Sequence, residues 1–238
     1  MFAATLPEVP VTTAPPVDSD HHVRTPRRGK PMLRGVSHLL ALVAWTGIAP
    51  WVVAAASPGW PRTATTVYVV AIAALFGVSA LYHVPGWGQQ AKRALRRADH
   101  ATIFLAVAGT YTPVAGLALD GAWATTLLVV VWVGAAAGIA LAVAFIDASP
   151  RLHAIPYVAL GWVAVAALPA LWAGLGGVAI AWLAAGGVLY SLGAVVYARR
   201  RPDPVPEVFG YHEVFHALVI AAVACHLVLV VGFVLPIS

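Results

Sequence analysis

Apolar residues run through this chain in blocks of about twenty, parted by short stretches rich in Gly, Pro, Arg and Lys. A block of that length is enough for a helix to cross the ~30 Å hydrocarbon core of a bilayer. Seven spans are expected, over residues 34–56, 64–84, 99–119, 123–146, 153–173, 178–198 and 209–235. None shows the ten-residue alternation of a membrane β-strand. The pattern therefore predicts an all-α, polytopic membrane protein, with a seven-helix bundle over residues 31–238. Residues 1–30 are polar, rich in Pro and basic at their end, and are expected to form a disordered tail. That tail has no apolar core segment and does not read as a cleavable signal peptide.

Turns reading SPGWPR, LDGAW and AGLGG join some of the spans, and basic segments join the others. Trp60, Trp87, Trp123 and Trp172 fall near span ends, where amphipathic rings favour the membrane interface. Gly134 and Gly138 in the fourth span, and Gly186, Gly187 and Gly193 in the sixth, suit close packing between helices of one chain.

Composition narrows the picture further. A chain that is 61% hydrophobic and 10% charged, with mean hydropathy +0.86, is not a soluble globular protein. The net charge of +5 does not point to nucleic acid, because the basic residues flank apolar blocks instead of forming a stripe. Their placement bears on topology. Of 14 Lys and Arg, all but Arg62 fall on one side of the seven expected spans. The positive-inside tendency then puts the N-terminus in the cytoplasm and the C-terminus outside. The lone Cys225 excludes an intramolecular disulfide and reads as a small buried hydrophobe.

Ionisable residues inside apolar spans are costly, and here they fall at similar depth. His212 and His216 are four apart, so on a helix they face one way and could hold one metal ion. Ser79 and His83 repeat that spacing at the end of the second span, and Asp99 and His100 open the third. Ser79, His83, Asp99, His212 and His216 would thus meet at the cytoplasmic ends of three helices. Three imidazoles suit Zn2+ with one position left open. Asp99 could orient a ligand or a water, Ser79 could donate to a developing oxyanion, and zinc would bring the pKa of a bound water towards 7. Singly, each residue has an ordinary reading. His83 would be an interfacial histidine, Asp99 a helix cap, and Ser79 a hydroxyl bonded back to its own helix. Glu213 completes an HEVFH match to metalloproteases, discounted because that signature belongs to soluble clefts. His226 lies ten residues past His216, roughly 15 Å along the helix, so it cannot join the same site but could bond another helix. His38 and His153 open the first and fifth spans and read as interfacial.

Three blocks, SALYH at 79–83, RRADHATIFLAVAGTYTP at 96–113 and FGYHEVFHALVIAAVACH at 209–226, resemble the hemolysin III family. That family is grouped with progestin and adipoQ receptors and, more widely, with ceramidase-like membrane hydrolases. The resemblance implies His83, His212 and His216 as zinc ligands, Asp99 in contact with a water on the metal, and Ser79 nearby. It also implies a seven-helix bundle with a cytoplasmic N-terminus. Receptor relatives can carry glutamine at the Glu213 position, which argues against a general base there. Thr110, Tyr111 and Pro113 fit the pattern, and a helix-shaping role is expected of them. Three functions remain in view: zinc-dependent hydrolysis of a lipid amide or ester such as a ceramide-like molecule, cytolysis through a pore, and a receptor or membrane-homeostasis role with structural zinc. No span carries the continuous polar stripe of a pore lining, and hydrolysis is the expectation.

Overall fold

A computed structural model describes residues 30–238, so the expected tail lies outside the described residues but for its last position. Every long element among the described residues is helical: α1 Val36–Ala55, α2 Trp60–His83, α3 Gln89–Ala118, α4 Gly121–Ala144, α5 Pro150–Gly161, α6 Leu168–Arg199 and α7 Tyr211–Leu229. A 3-10 stretch, Trp162–Ala167, joins α5 to α6, and π and 3-10 turns extend α7 to Ile237.

Among the described residues, six segments are long and apolar enough to cross a bilayer. Where a fifth and a sixth span are expected, α5, the 3-10 stretch and α6 run on as one 48-residue segment, Leu152–Arg199. No polar loop parts them because the intervening sequence, AGLGG, carries no charge. The run is nevertheless broken. Gly176 adopts φ 79° and ψ 168°, a conformation open to glycine and strained for other residues.

α3 begins ten residues ahead of the expected third span. Its first turns read QQAKRALRRA, and Ala, Arg, Lys, Gln and Leu are all good helix formers. The helix therefore continues past its apolar part, and Asp99 sits within it instead of capping its start.

α2 lies between α1 and α3, α3 also packs on α4, and α6 packs on α7. α2 and α3 are the central helices, and Tyr68, Ile72 and Phe76 fill the core between them and α1. α1 and α4 are peripheral. They turn Leu40, Val43, Trp51, Val129, Val133 and Leu141 outwards, a surface suited to lipid and not to water. The expected small-residue packing is present. A Cβ on Gly138 would lie 2.2 Å from the Phe104 ring, and one on Gly186 would lie 2.2 Å from the His226 ring. Both glycines make room for a ring on a neighbouring helix.

Tyr111 does more than shape its helix. Its hydroxyl donates to the Gly161 carbonyl at 2.8 Å and accepts the Ala164 N–H at 2.7 Å. Those groups flank the point where α5 gives way to 3-10 geometry. Backbone groups released from a helix within lipid need partners, and one phenol supplies both.

Four chain segments meet at one end of the bundle. Met32 and Leu33 donate backbone hydrogen bonds to Glu207 and Val208 in the α6–α7 linker. Lys30 donates to the His83 and Val84 carbonyls at the end of α2. Arg93 and Arg96 of α3 pair with Asp147 from the α4–α5 connection. At the opposite end, Ser57 bonds the Ser238 carbonyl.

Candidate metal centre

His83 is the last residue of α2, while His212 and His216 lie one turn apart near the start of α7. One ligand nitrogen from each falls within 4.8 Å of the other two, and all three rings are buried. The Nε2 atoms of His83 and His212 are 3.1 Å apart. Two nitrogens bound to a tetrahedral ion at 2.0–2.1 Å lie about 3.3 Å from each other, so this spacing fits a shared metal. Ring centroids are 4.7 Å apart for His83 and His212, 5.3 Å for His83 and His216, and 4.5 Å for His212 and His216. His216 Nδ1 is buried with no hydrogen-bond partner. Three buried imidazoles crowded together, one with an idle nitrogen, are poorly satisfied by protein alone. The donor set suits a divalent transition ion.

Asp99 approaches from α3, with Oδ2 3.8 Å from His83 Nε2. Buried Ser79, one turn before His83, is the side chain that offers Asp99 a hydrogen bond. The five residues expected to converge therefore do so. His226 does not join them; its Nε2 lies 3.3 Å from the Leu183 carbonyl on α6.

Several contributors were not legible in the sequence. His38 is buried, not interfacial, and stacks on His216 with centroids 3.8 Å apart and planes 8° from parallel. A lone histidine at a helix start has no spacing partner to betray it. His153 is likewise buried, against His100 with centroids 4.7 Å apart. Arg34, counted only as a topological charge, sends Nε to Glu213 Oε1 at 2.5 Å. The other oxygen of Glu213 accepts the Gly210 N–H at 2.8 Å and so caps α7. Glu213 is thus a buried anchor for the helix that carries two of the histidines. Gly35, beside Arg34, has φ 83°, and a Cβ there would lie 2.4 Å from the Cβ of His83. The start of α1 can approach the metal centre because this residue has no side chain.

Two spaces flank the histidines. On one side lies an apolar cavity of about 200 Å³, lined in part by Val107, Tyr111, Tyr157, Leu183 and Phe215. The Phe215 ring also contacts His212 and His216, at centroid distances of 5.8 and 5.7 Å. On the other side is a mixed polar vestibule of about 600 Å³ bordered by His83, Lys30, Arg34 and Lys92. Partial burial and the neighbouring Arg34 and Lys92 charges lower the Lys30 pKa.

The family model described as Haemolysin-III related matches residues 27–227. This chain belongs to the hemolysin III family. It is 32% identical over 165 residues to the "Hemolysin-3 homolog" of Bacillus subtilis, covering 69% of this chain and 74% of that protein. To the "Hemolysin-3" of Bacillus cereus it is 32% identical over 173 residues, covering 73% and 76%. A shorter match, 43% identical over 51 residues, joins 19% of the chain to 16% of the "ADIPOR-like receptor IZH2" of Saccharomyces cerevisiae. Family membership and apolar helices together make this hemolysin III relative a multi-pass membrane protein.

Proposed function

We propose that this hemolysin III protein is a seven-span, zinc-dependent hydrolase of a lipid amide or ester, with its N-terminus in the cytoplasm. The observation that carries the reading is the buried trio His83, His212 and His216 with the Asp99 carboxylate 3.8 Å from one of its rings. A purely structural cross-link would need neither that carboxylate nor the serine behind it.

The topology follows from length and charge. A helix of 48 residues would be about 72 Å long, more than twice a hydrocarbon core, which supports two passes for Leu152–Arg199. The break at Gly176 is where it would turn. Seven passes then separate the termini. The basic residues gathered at the end that holds the histidines favour a cytoplasmic place for that end.

His83, His212 and His216 would hold the ion, which when bound supplies Lewis acidity and an acidified water. Asp99 would take a proton at Oδ2 from the attacking water and return it to the departing nitrogen or oxygen as the acyl bond breaks. Ser79 holds that carboxylate in place, and His38 fixes the plane of His216 by stacking. The apolar cavity behind Phe215 would take a hydrocarbon tail and exclude water from that side.

Purified protein should contain about one zinc per chain, and the His212→Ala, His216→Ala double variant should contain none. Fatty acid should be released from short-chain ceramides or esters by the native protein and not by Asp99→Asn, which keeps its zinc. Bound zinc with no release from any lipid would leave the ion a structural role. Dye leakage from liposomes that persists without the histidines would separate lysis from the metal.

A further inference from the structure

We propose that the vestibule over His83 binds the phosphate of a lipid head group, so that phosphorylated lipids are preferred over neutral ones at this site. The inference rests on the hydrolase reading only for how such a lipid would be oriented.

Lys30, Arg34 and Lys92 come from two separate parts of the chain and line one concavity with Tyr82, Trp87 and Tyr211. Arg34 commits Nε to Glu213, which leaves its two terminal nitrogens for a ligand. Lys92 is exposed, and its ammonium has no hydrogen bond or ion pair among the described residues. Asp203, which also borders the space, accepts the Tyr211 N–H at 2.9 Å. Counting both Asp203 and Glu213 against the three cations still leaves an excess of positive charge.

Topology alone asks for basic residues somewhere beside the spans. It does not ask that three of them surround a recess ending at a candidate metal ligand. Lysine and arginine donors grouped in that way, with tyrosines beside them, are what a phosphate monoester requires. Phe215 lines the apolar cavity and its ring contacts His212 and His216, so a lipid with its phosphate in the vestibule and its tail in the cavity would have its acyl linkage near the trio.

Titration calorimetry of the full-length protein in neutral detergent tests this. The probes are dihexanoyl phosphatidate, dihexanoylglycerol and inorganic phosphate. Phosphatidate should bind at least roughly tenfold more tightly than the neutral diacylglycerol, and less tightly as salt rises. Lys92→Ser, at an exposed position that bears on no helix cap, should weaken it about threefold or more, and Lys30→Ser should do likewise. Zinc content should be unchanged in Lys92→Ser, and the metal-free His212→Ala, His216→Ala protein should keep the preference. Equal binding of the two lipids, or no effect of either lysine, would overturn the proposal and leave the hydrolase reading standing. Inorganic phosphate binding as tightly as phosphatidate would also overturn it, in favour of a free anion. Loss of zinc or of fatty-acid release without loss of phosphatidate binding would count against the hydrolase alone.

Discussion

Gly35 decides how closely the first helix can approach the histidines, although it supplies no chemistry. Alanine there would have to hold φ near 83° and would set its Cβ 2.4 Å from that of His83. The left-handed backbone alone costs about 1–2 kcal/mol. Displacing His83 adds a loss in metal binding, of about tenfold or more on the scale of disturbed supporting contacts. Gly35→Ala should therefore show both a lower melting temperature and weaker zinc binding in a chelator competition. Unchanged zinc affinity would mean that α2 alone places His83. At this scale the sequence was informative wherever spacing repeats. His212 with His216, and Ser79 with His83, are four apart, and helical geometry turns that interval into a shared face. His38, Arg34 and Glu213 gave no comparable signal. The Arg34–Glu213 pair spans 179 positions, and nothing local to either residue announces the other.

Among the elements, α5 and its 3-10 continuation depend on α3 for satisfaction. Replacing Tyr111 by Phe would leave the Gly161 carbonyl and the Ala164 N–H without the phenol and in an apolar setting. An unsatisfied buried group costs about 1–3 kcal/mol. Tyr111→Phe should lower thermal stability by that order while zinc content stays near one per chain, read by differential scanning calorimetry with metal analysis. An unaltered melting temperature would show that water or the helix itself serves those groups. Helix positions were legible because a bilayer-length apolar block has few other uses. Helix boundaries were less so. α3 starts early because its basic turns are also good helix formers, so hydropathy marks where its apolar part begins and not where the helix does. The change to 3-10 at Trp162 has no marker in WVAVAA, whose composition suits a continuous helix equally well.

For the molecule as a whole, exposed side chains on α1 and α4 and the basic end of the bundle both describe a body set in a membrane. Which face is cytoplasmic is open to a direct check. In a Cys225→Ser background, a cysteine at Lys92 should react with a membrane-impermeant maleimide only after cells are opened, and one at Ser57 should react in intact cells. The reverse pattern would invert the proposed orientation, and labelling of both from one side would break the odd number of passes.

The distance along the chain between the partners of the metal centre has a further effect on how the protein is made. His83 and His212 are 129 positions apart, and α7 leaves the ribosome after α1 to α6. Earlier helices can enter the bilayer in turn, yet until the final one arrives His83 has no companion imidazoles and Arg34 no carboxylate to hold. A nascent chain halted anywhere before Tyr211 would therefore be blind to metal, and capture of an ion would become a sign that synthesis has passed α7.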